Sequence, residues 1–294
     1  MTRSRLAPGA GIVTVPGDRP VLRTADGHFL RIDTGRVGSA ELVDRLTPGE
    51  GAHEDSVSAA VSAPGSVSAS AELDRLVAAF EEAGHAVTGP RRPPLTGRTV
   101  HLLGDPALTG PLSRFAAAEG AEVHPATPDS LAGLAGRRDT AVVWCLDSPV
   151  PEGLWADADR LPARHTAWLR CHREGAHAWI EPLACAPGDV TSAHVRLRRL
   201  AATAAHRELA AYWTGHRTPD TGPHPTEASA ALIAALLTAD LIAWAGDGHD
   251  RGAVLPARRR LRRIDLRDLT VTGHPVLPVP DVAPLPAPAP GAKA

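Results

Sequence analysis

The first part of the chain carries the alternation of apolar and polar positions that is typical of short β-strands. Three such segments are separated by turn signals. They lie at residues 11–15, 21–24 and 28–34. In the third segment Leu30 and Ile32 share one face, whereas Phe29, Arg31 and Asp33 lie on the other. The pattern therefore predicts three strands joined by tight turns.

Apolar positions at helical spacing follow these strands. They predict one helix over residues 39–46 and a second over 70–83. Between the two, the Ser-, Ala- and Gly-rich segment 47–70 holds at most one weak helix, near 56–61. Residues 1–89 thus form a β-β-β-α-(α)-α unit, which is the plan of a small winged helix-turn-helix.

Strand and helix patterns alternate after the proline-rich linker 90–94. Strands fit at residues 100–103, 121–124, 141–146, 168–170 and 178–180, and helices at 112–119, 195–213 and 227–246. This order predicts parallel pairing in a doubly wound α/β domain over 95–274. The last 20 residues contain seven prolines, so we expect an extended arm over 275–294.

Composition excludes several classes of function. The 33 acidic and 31 basic residues give a net charge of −2, which argues against a general binder of nucleic acid or anionic membranes. Lys293 is the only lysine, and Asn and Gln are absent. A Schiff-base lysine, a Walker-A lysine and a Cys-His-Asn triad are therefore excluded. The three cysteines and the lack of an apolar N-terminal run predict a cytoplasmic protein.

Two further features have competing interpretations. The apolar stretch 228–245 has the length of a membrane span, but it contains Asp240, which favours a buried helix. A winged helix often binds DNA, yet residues 1–90 hold 8 Arg and 12 acidic residues. Phosphate would repel the acidic second helix. We therefore expect neither a membrane protein nor a nucleic-acid partner.

The strand–turn–helix around Gly104 stands where a nucleotide-binding fold places G-x-G-x-x-G. Pro106 and Thr109 replace its second and third glycines. Proline prevents the close backbone approach that a diphosphate needs. The next strand ends at His124 instead of the acid that would bind a ribose. The segment indicates a nucleotide-binding fold that has lost its ligand, with a nucleotide-dependent enzyme as the alternative.

Other reactive side chains lack a recognisable constellation. Cys145 ends a buried strand and is either a nucleophile or a small core residue. Four possible zinc ligands lack the usual spacing: Cys171, His172, His177 and Cys185. The five arginines within 258–263 form either a solvated face or a surface for an anionic partner. The residues alone thus indicate a small binding module joined to an inactive α/β domain.

Two segments, 180–200 and 263–280, resemble the ThiF-like partner proteins of cyclodehydratases in ribosomal peptide (RiPP) biosynthesis. These are the ocin-ThiF-like, or TOMM (thiazole/oxazole-modified microcin), leader-peptide-binding proteins. The run HPVLPVP at 274–280 is the most specific piece, and the resemblance covers nearly the whole chain. It implies a winged helix-turn-helix peptide-recognition element over 1–89 and a degenerate, ubiquitin-activating-like Rossmann-type domain over 95–274.

The chain departs from this family at a structural zinc site. Ser192 and Val195 stand where the family has one C-x-x-C pair, and Val282 and Leu285 stand where it has the other. Because both halves are missing together, the resemblance implies a member without zinc. The missing glycine loop likewise implies no ATP.

The function that the resemblance implies is non-catalytic. The chain would capture the leader of a precursor peptide and deliver it to a separate YcaO-type enzyme, the ATP-dependent step of azoline and azole formation in a thiopeptide-like or other linear azole pathway. A ThiF-like adenylyltransferase, a nucleotide-dependent oxidoreductase and a winged-helix regulator stay open as alternatives. The helix at 227–246 would serve either the YcaO partner or a homodimer.

By resemblance, the leader adds a strand to the edge of the third strand. The implied peptide-binding residues of that strand are Phe29, Leu30, Arg31, Ile32 and Asp33, and those of the last helix are Arg75, Ala79 and Glu82. Arg31 and Arg75 would pair with leader carboxylates. A leader that contains Asp, Glu and Leu would suit this surface.

Overall fold

Contacts between residues divide the chain into two units, Met1–Arg91 and Arg92–Ala294. The computed structural model describes residues 4–15, 18–47, 66–89, 92–219, 221–246 and 255–280. The weak helix predicted near 56–61 and most of the predicted arm, 281–294, lie outside the described residues.

Short strands and two helices form the described part of the first unit. They are β1 (Ser4–Leu6), β2 (Gly11–Val13), β3 (Val21–Arg23), β4 (Phe29–Arg31), α1 (Ser39–Leu46), α2 (Ser66–Glu82) and β5 (Ala86–Thr88). Strands β2, β3 and β4 form an antiparallel sheet in that order, and β1 pairs with β5. The three predicted strands and the helix over 39–46 are confirmed. The sequence pattern did not reveal β1 and β5, because these two strands pair with each other from distant parts of the sequence and no local turn signal joins them.

One apolar core holds the first unit together. Its members come from the sheet, from both helices and from β5, and they include Leu22, Ile32, Leu42, Leu46, Leu73, Val77, Phe80 and Ala86. Leu42 and Leu46 are fully buried on one stripe of α1, and Leu73, Val77 and Phe80 form the buried stripe of α2. The helices therefore pack against the face of the sheet that carries Leu22.

A seven-stranded mixed sheet forms the centre of the second unit. Its strands are β6 (Thr99–Gly104), β7 (Glu122–Pro125), β8 (Thr140–Leu146), β9 (Ala167–Glu174), β10 (His177–Ile180), β11 (Arg260–Asp265) and β12 (Val271–Pro275). The helices are α3 (Pro106–Ala118), α4 (Leu131–Leu134), α5 (Ser192–Ala201), α6 (His206–Trp213) and α7 (Glu227–Ala245). The strand order is β12-β11-β10-β9-β8-β6-β7.

Parallel pairing is confined to half of this sheet. Strands β7, β6, β8 and β9 run parallel, as the alternation of strands and helices predicts. Strands β9 to β12 are antiparallel, so the prediction of parallel pairing throughout is wrong. The reason is local, because β9 and β10 are joined by a turn too short for a crossover. The unit is a mixed α/β structure.

Both faces of the sheet are covered. Helices α3 and α7 pack on each other and on one face, where side chains such as Val143 and Leu169 meet Leu112 and Leu237. On the other face Trp144 and Trp168 pack with α4 and with residues 150–161. Helix α7 has the length and hydropathy of a membrane span, but half of that stretch is buried within the unit.

Two predictions for this unit are wrong in detail. The helix predicted over 195–213 is divided into α5 and α6, because the Thr203 side chain accepts a hydrogen bond from the N–H of Ala205 and interrupts the helical pattern. The arginine run 258–263 is not simply a solvated face, because most of its charges are paired within the unit. Four of its five arginines pair with buried carboxylates, as Arg258 and Arg259 do with Asp189, and Arg260 and Arg262 with Asp240.

Candidate functional site

Strand β4 is an edge strand. It pairs with β3 on one side, and no other strand in the described part of the chain lies on its other side. The N–H of Thr24 donates to the carbonyl of His28 at 2.8 Å, and the N–H of Ile32 donates to the carbonyl of Pro20 at 3.1 Å. Because bonded and non-bonded pairs alternate in an antiparallel ladder, the N–H and C=O groups of Phe29 and Arg31 point away from β3. Their backbone groups are thus placed to bind an added strand.

The side chains of β4 are exposed on both of its faces. Phe29 is 62% exposed and lies opposite Arg23, on the outer face of the sheet. Leu30 is 44% exposed, although it lies opposite the buried Leu22 on the inner face. Ile32 follows on that inner face and is buried. The apolar inner face is therefore open at Leu30, next to the helices that cover it elsewhere.

Helix α2 contacts the turn after β4 through Glu72. Its Oε1 accepts a hydrogen bond from the N–H of Arg36 at 3.4 Å. Gly35 has a φ of +58°, and a Cβ there would lie 2.2 Å from the same oxygen. Ala79 lies two turns further along the same side of the helix, and Leu76 between them packs against the core. We call β4, Ile32 and Asp33, together with Glu72, Leu76 and Ala79, the β4–α2 surface.

The remaining predicted residues lie at the rim of this surface. Arg75 and Glu82 are exposed, and helical geometry places them about 60–80° round the helix from Glu72, towards solvent. The Nε of Arg75 donates to the carbonyl of Ala71 at 3.2 Å. Sequence reasoning missed Glu72 and Leu76. The sequence shows their helical spacing to Ala79, but it does not show that Glu72 contacts the turn after β4.

A second candidate site lies where the strand order of the large sheet reverses, between the carboxyl ends of β6 and β8. Such a crevice binds the ligand in many open α/β sheets. Here Asp105 follows β6 and Asp147 follows β8, and Asp105 Oδ2 accepts the N–H of Asp147 at 2.6 Å. Gly104 has a φ of +105° and lies so close to Cys145 that a Cβ would be 1.8 Å from its carbonyl oxygen. Two carboxylates therefore occupy the position that a nucleotide phosphate would need.

The charge of Asp147 is paired within the protein. Its Oδ1 accepts a hydrogen bond from the Nε of Arg173, and its Oδ2 lies 2.7 Å from the Nδ1 of His224. These residues line an open crevice of about 370 Å³. A carboxylate that orients a histidine is one part of many catalytic sites. The crevice is also lined by Ser148 and Thr218, but among the described residues neither hydroxyl is hydrogen-bonded to His224, so no nucleophile is paired with the imidazole.

The cysteines are placed for packing. Cys145 and Cys171 are fully buried on neighbouring strands. Burial raises the pKa of the Cys145 thiol to about 12, and it raises the pKa of Cys171 as well. Cys185 is half-buried, and burial also raises its pKa. The thiols therefore stay protonated near neutral pH, which disfavours Cys145 as a nucleophile.

Of the four zinc positions that the resemblance implies, the structure describes Ser192 and Val195, whereas Val282 and Leu285 lie outside the described residues. The two described side chains do not fit a zinc ion. The Oγ of Ser192 donates to Asp159 at 2.6 Å. Val195 is buried in an apolar cluster with Leu261 and Val276. Over the described ranges, no three His, Cys, Asp or Glu side chains lie close enough to bind one metal ion. Apolar packing occupies the place of the expected ligands.

A layer of buried charges covers β9 and β10 on the face away from α3. Arg170 and Glu181 form an ion pair at 2.6 Å, and both are almost completely buried. Glu174 accepts hydrogen bonds from Arg199 at 2.6 Å and from the indole of Trp213 at 2.7 Å. Burial alone would raise the pKa of Glu174, but the hydrogen bonds and charges of His172 and Arg199 outweigh it and hold this pKa well below its usual value. The layer satisfies its own charges and offers none to a ligand.

Comparison with known proteins identifies similar folds. No protein-family model matches the sequence, and no curated protein matches it. The heterocyclase TruD has a TM-score of 0.61 at 14% identity over 94% of this chain and 41% of its own. A heterocyclase in complex with substrate and cofactor has a TM-score of 0.60 at 10% identity over 95% of this chain and 39% of its own. E. coli MccB with ATP has a TM-score of 0.52 at 11% identity over 94% of this chain and 98% of its own.

These similarities concern the fold. The chain spans about two fifths of the length of the two heterocyclases. The resemblance to cyclodehydratase proteins inferred from the sequence is thus supported at the level of fold, across nearly all of this chain. The specific role of a partner protein is a separate question.

Proposed function

We propose that this chain is a non-catalytic, leader-peptide-binding partner of a YcaO-type cyclodehydratase. It would bind the leader of a ribosomal precursor peptide and present the core peptide to that separate enzyme for azoline and azole formation. The observation that carries the proposal is the open edge of β4. Its backbone groups are unpaired towards solvent, and the side chains of Phe29 and Leu30 are exposed. An edge of this kind binds an extended peptide by adding it as a further strand.

The chemistry of the second unit supports the non-catalytic role. Asp105 and Asp147 occupy the crevice where a nucleotide phosphate would lie. The buried thiol of Cys145 is protonated, and Val195 lies in an apolar cluster instead of a zinc site. We therefore propose a chain without ATP or zinc of its own. The alternative of an adenylyltransferase or oxidoreductase requires a nucleotide in this crevice, where the two carboxylates are unfavourable for a phosphate.

The finer assignment of the fold belongs to the same proposal. We assign the first unit to the winged helix-turn-helix peptide-recognition elements and the second to degenerate ThiF-like domains of the Rossmann type. The order of three strands, α1 and α2 and the four parallel strands of the large sheet support these assignments. The second unit would then dock the YcaO enzyme in the cytoplasm. Holding the leader raises the effective concentration of the core peptide at that enzyme.

A direct binding experiment tests the proposal. A fluorescent leader peptide, taken from the precursor encoded nearest this chain's gene, is titrated with the full chain in a polarisation assay. We expect saturable binding at micromolar or lower concentration, and at least tenfold weaker binding for the double variant Arg31→Glu, Arg75→Glu. The matched control is Arg92→Glu, Arg164→Glu, which makes the same change of charge at exposed residues of the second unit.

The outcomes separate the site from the function. Tight binding that both double variants leave unchanged would keep the function and reject the β4–α2 surface. Failure of several candidate leaders to bind would reject the partner role. Titration with ATP would then test the adenylyltransferase alternative.

A further inference from the structure

We infer that the outer face of β4 selects peptides by the order of their charges. This inference rests on the proposed peptide-binding function. A bound strand would carry an apolar residue opposite Phe29, an acidic residue opposite Arg31 and a basic residue opposite Asp33, at alternate positions. The residues between them would be apolar.

The outer face presents three different chemistries in a row. Phe29, Arg31 and Asp33 are exposed, and in an extended chain they follow one another at about 6.8 Å. The hydrogen bond from Ile32 to Pro20 continues the pairing with β3 beyond Arg31. Among the described residues Asp33 forms one ion pair, with Arg19 at 3.8 Å, and both side chains are more than three-quarters exposed. Its Oδ1 also accepts a hydrogen bond from the N–H of Gly35 at 3.3 Å, which leaves Oδ2 for a ligand. Such a pair is weak, so a ligand cation can replace it.

The inner face makes the intervening positions apolar. Residues of an added strand opposite Leu30 and Ile32 would point to the face that carries Leu76 and Ala79 of α2. Directly opposed side chains in a sheet lie about 5 Å apart and interact strongly enough to affect pairing. A peptide that runs antiparallel to β4 would therefore carry, from its N-terminus, a basic, an apolar, an acidic, an apolar and an aromatic or aliphatic residue.

A second copy of this chain matches the outer face less completely than a peptide. Antiparallel pairing of two β4 strands centred on Arg31 would place the two Arg31 side chains opposite each other, and like charges that face each other destabilise strand pairing. Pairing centred on Ile32 would place Arg31 opposite Asp33 in both directions, but it would leave Phe29 opposite Gly35. A peptide with the opposite order of charges also supplies an apolar partner for Phe29.

A displayed library tests this inference. Random nine-residue peptides are selected for binding to the full-length chain and, separately, to Arg31→Glu. We expect the wild-type chain to enrich peptides with an acidic residue two positions from a basic one, and to prefer the acid over a base at that position by at least threefold. Arg31→Glu should reverse this preference. The control Arg92→Glu, which lies in the second unit, should leave the selected pattern unchanged.

Each outcome decides one question. If the wild-type chain enriches no peptide, the proposed peptide-binding function fails. If it enriches peptides whose charges show no such spacing, or whose preference Arg31→Glu leaves unaltered, the function stands and the selection by charge order is wrong.

An independent observation in the second unit supports another site. The Nε1 of Trp155 and the Nδ1 of His172 are buried, and among the described residues neither has a hydrogen-bond partner. Both side chains line one small cavity together with Glu181 and Val195. A buried N–H without a partner is costly, so such groups are usually satisfied by bound water. We infer that this cavity binds one water molecule.

The chemistry of the cavity excludes charged occupants. The charged side chains that line the cavity are already paired, as Glu174 is with Arg199 and Glu181 with Arg170, so an ion would find no unpaired opposite charge there. The Nδ1 of His172 lies 3.8 Å from Oε1 of Glu181, which is too long for a direct hydrogen bond. The cavity offers about 10 Å³ to the centre of a water molecule, roughly the room that one buried water needs. A single water would accept from Trp155 and bridge the other two groups.

Crystallography tests this site. A crystal structure of the full chain at about 1.8 Å resolution should show one water within about 3.2 Å of Trp155 Nε1. Trp155→Phe should remove it, because the water loses its donor. The control Trp244→Phe should leave it in place, since Trp244 lies on α7 and does not line this cavity. An empty cavity in the wild-type crystal, or Trp155 bonded to a protein acceptor there, would overturn the inference.

Discussion

The edges of the three-stranded sheet and of the seven-stranded sheet differ in their suitability for binding another strand. Strand β4, at an edge of the three-stranded sheet, contains neither proline nor glycine, and its outer edge is open. The edge strands of the large sheet, β7 and β12, each end in proline, at Pro125 and Pro275, and β12 also contains Gly273. Proline and glycine weaken pairing at an edge. The difference indicates that only the small sheet is built to accept another strand.

The two units also differ in how far their polar groups are paired within the protein. The first unit buries an apolar core and leaves apolar and backbone groups open at β4. The second unit buries charges and pairs them internally, as Arg170 does with Glu181 and Asp240 with Arg262. Groups that are already paired gain little from a ligand, whereas unpaired groups gain much. Experiments on each unit test this contrast.

The largest effect is expected from the buried ion pair. Glu181→Ala leaves the Arg170 guanidinium buried without its carboxylate, which should lower the free energy of unfolding by about 3–5 kcal/mol. The double variant Arg170→Leu, Glu181→Leu removes both charges and should lose less than the single variant. Urea unfolding of the full chain measures both. If the single and double variants lost the same amount, the pair would not be the stabilising element of the charged layer.

The next largest effect is expected at Gly104, where the end of β6 lies close to the backbone of Cys145 in β8. Gly104→Ala places a Cβ against the Cys145 carbonyl at a positive φ, so we expect a loss of more than about 2 kcal/mol. The matched control is Gly110→Ala in α3, where a Cβ would meet nothing within 4 Å. It should stabilise the chain by about 0.5–1 kcal/mol. Thermal unfolding distinguishes the two, and a tolerated Gly104→Ala would show that the crevice is looser than the structure implies.

Local patterns of apolar and polar residues predicted many of the helices and strands. The helix Ser39–Leu46 and the apolar strand Thr140–Leu146 follow from spacing alone. The strands β11 and β12 did not, because the arginine run hides them. Its partners, Asp189 and Asp240, are distant in sequence, and no local pattern shows such pairing.

The sequence likewise predicts only part of the β4–α2 surface. The alternation over 28–34 predicted which face each side chain of β4 takes. It could not show that Leu30 stays exposed opposite the buried Leu22, since that depends on where the helices end. The contact of Glu72 with Arg36 also depends on tertiary packing. Such contacts decide the shape of a site and are not encoded in any short segment.

A smaller effect tests the open edge itself. The N–H of Arg31 points away from β3, so Arg31→Pro should leave the sheet bonded and remove a donor to the peptide. We expect at least tenfold weaker leader binding, about 1.4 kcal/mol, beyond the loss caused by Arg31→Ala, which keeps the N–H. Polarisation titration and a thermal melt of both variants check this. Equal affinities of the two variants would show that the peptide forms no backbone bond at this position.

Acid should weaken the charged layer. The pKa of Glu174 in the folded chain lies well below the value of 4.5 for a free side chain. A lowered pKa contributes stability above the unfolded value, and this stability is lost as the pH falls towards the folded one. Glu174→Gln should therefore be less stable than the wild type at neutral pH and should lose less stability between about pH 5 and 3. Urea midpoints across that range measure the slope, and parallel slopes would contradict the assignment.

The smallest effect is expected from chemical modification of the thiols. This measurement leaves stability unchanged and shows how rigid the second unit is. Cys145 and Cys171 are fully buried, and the pKa of Cys145 is raised to about 12, whereas Cys185 is half-buried. A thiol reagent at pH 8 should therefore modify only Cys185 in the folded chain, slowly because burial also raises its pKa. Cys185→Ser should remove this reaction, and all three thiols of the wild type should react in urea. Rapid modification of Cys145 in the folded chain would mean that the sheet opens beside Asp105 and Asp147, and the second unit would then be the adaptable part of the molecule.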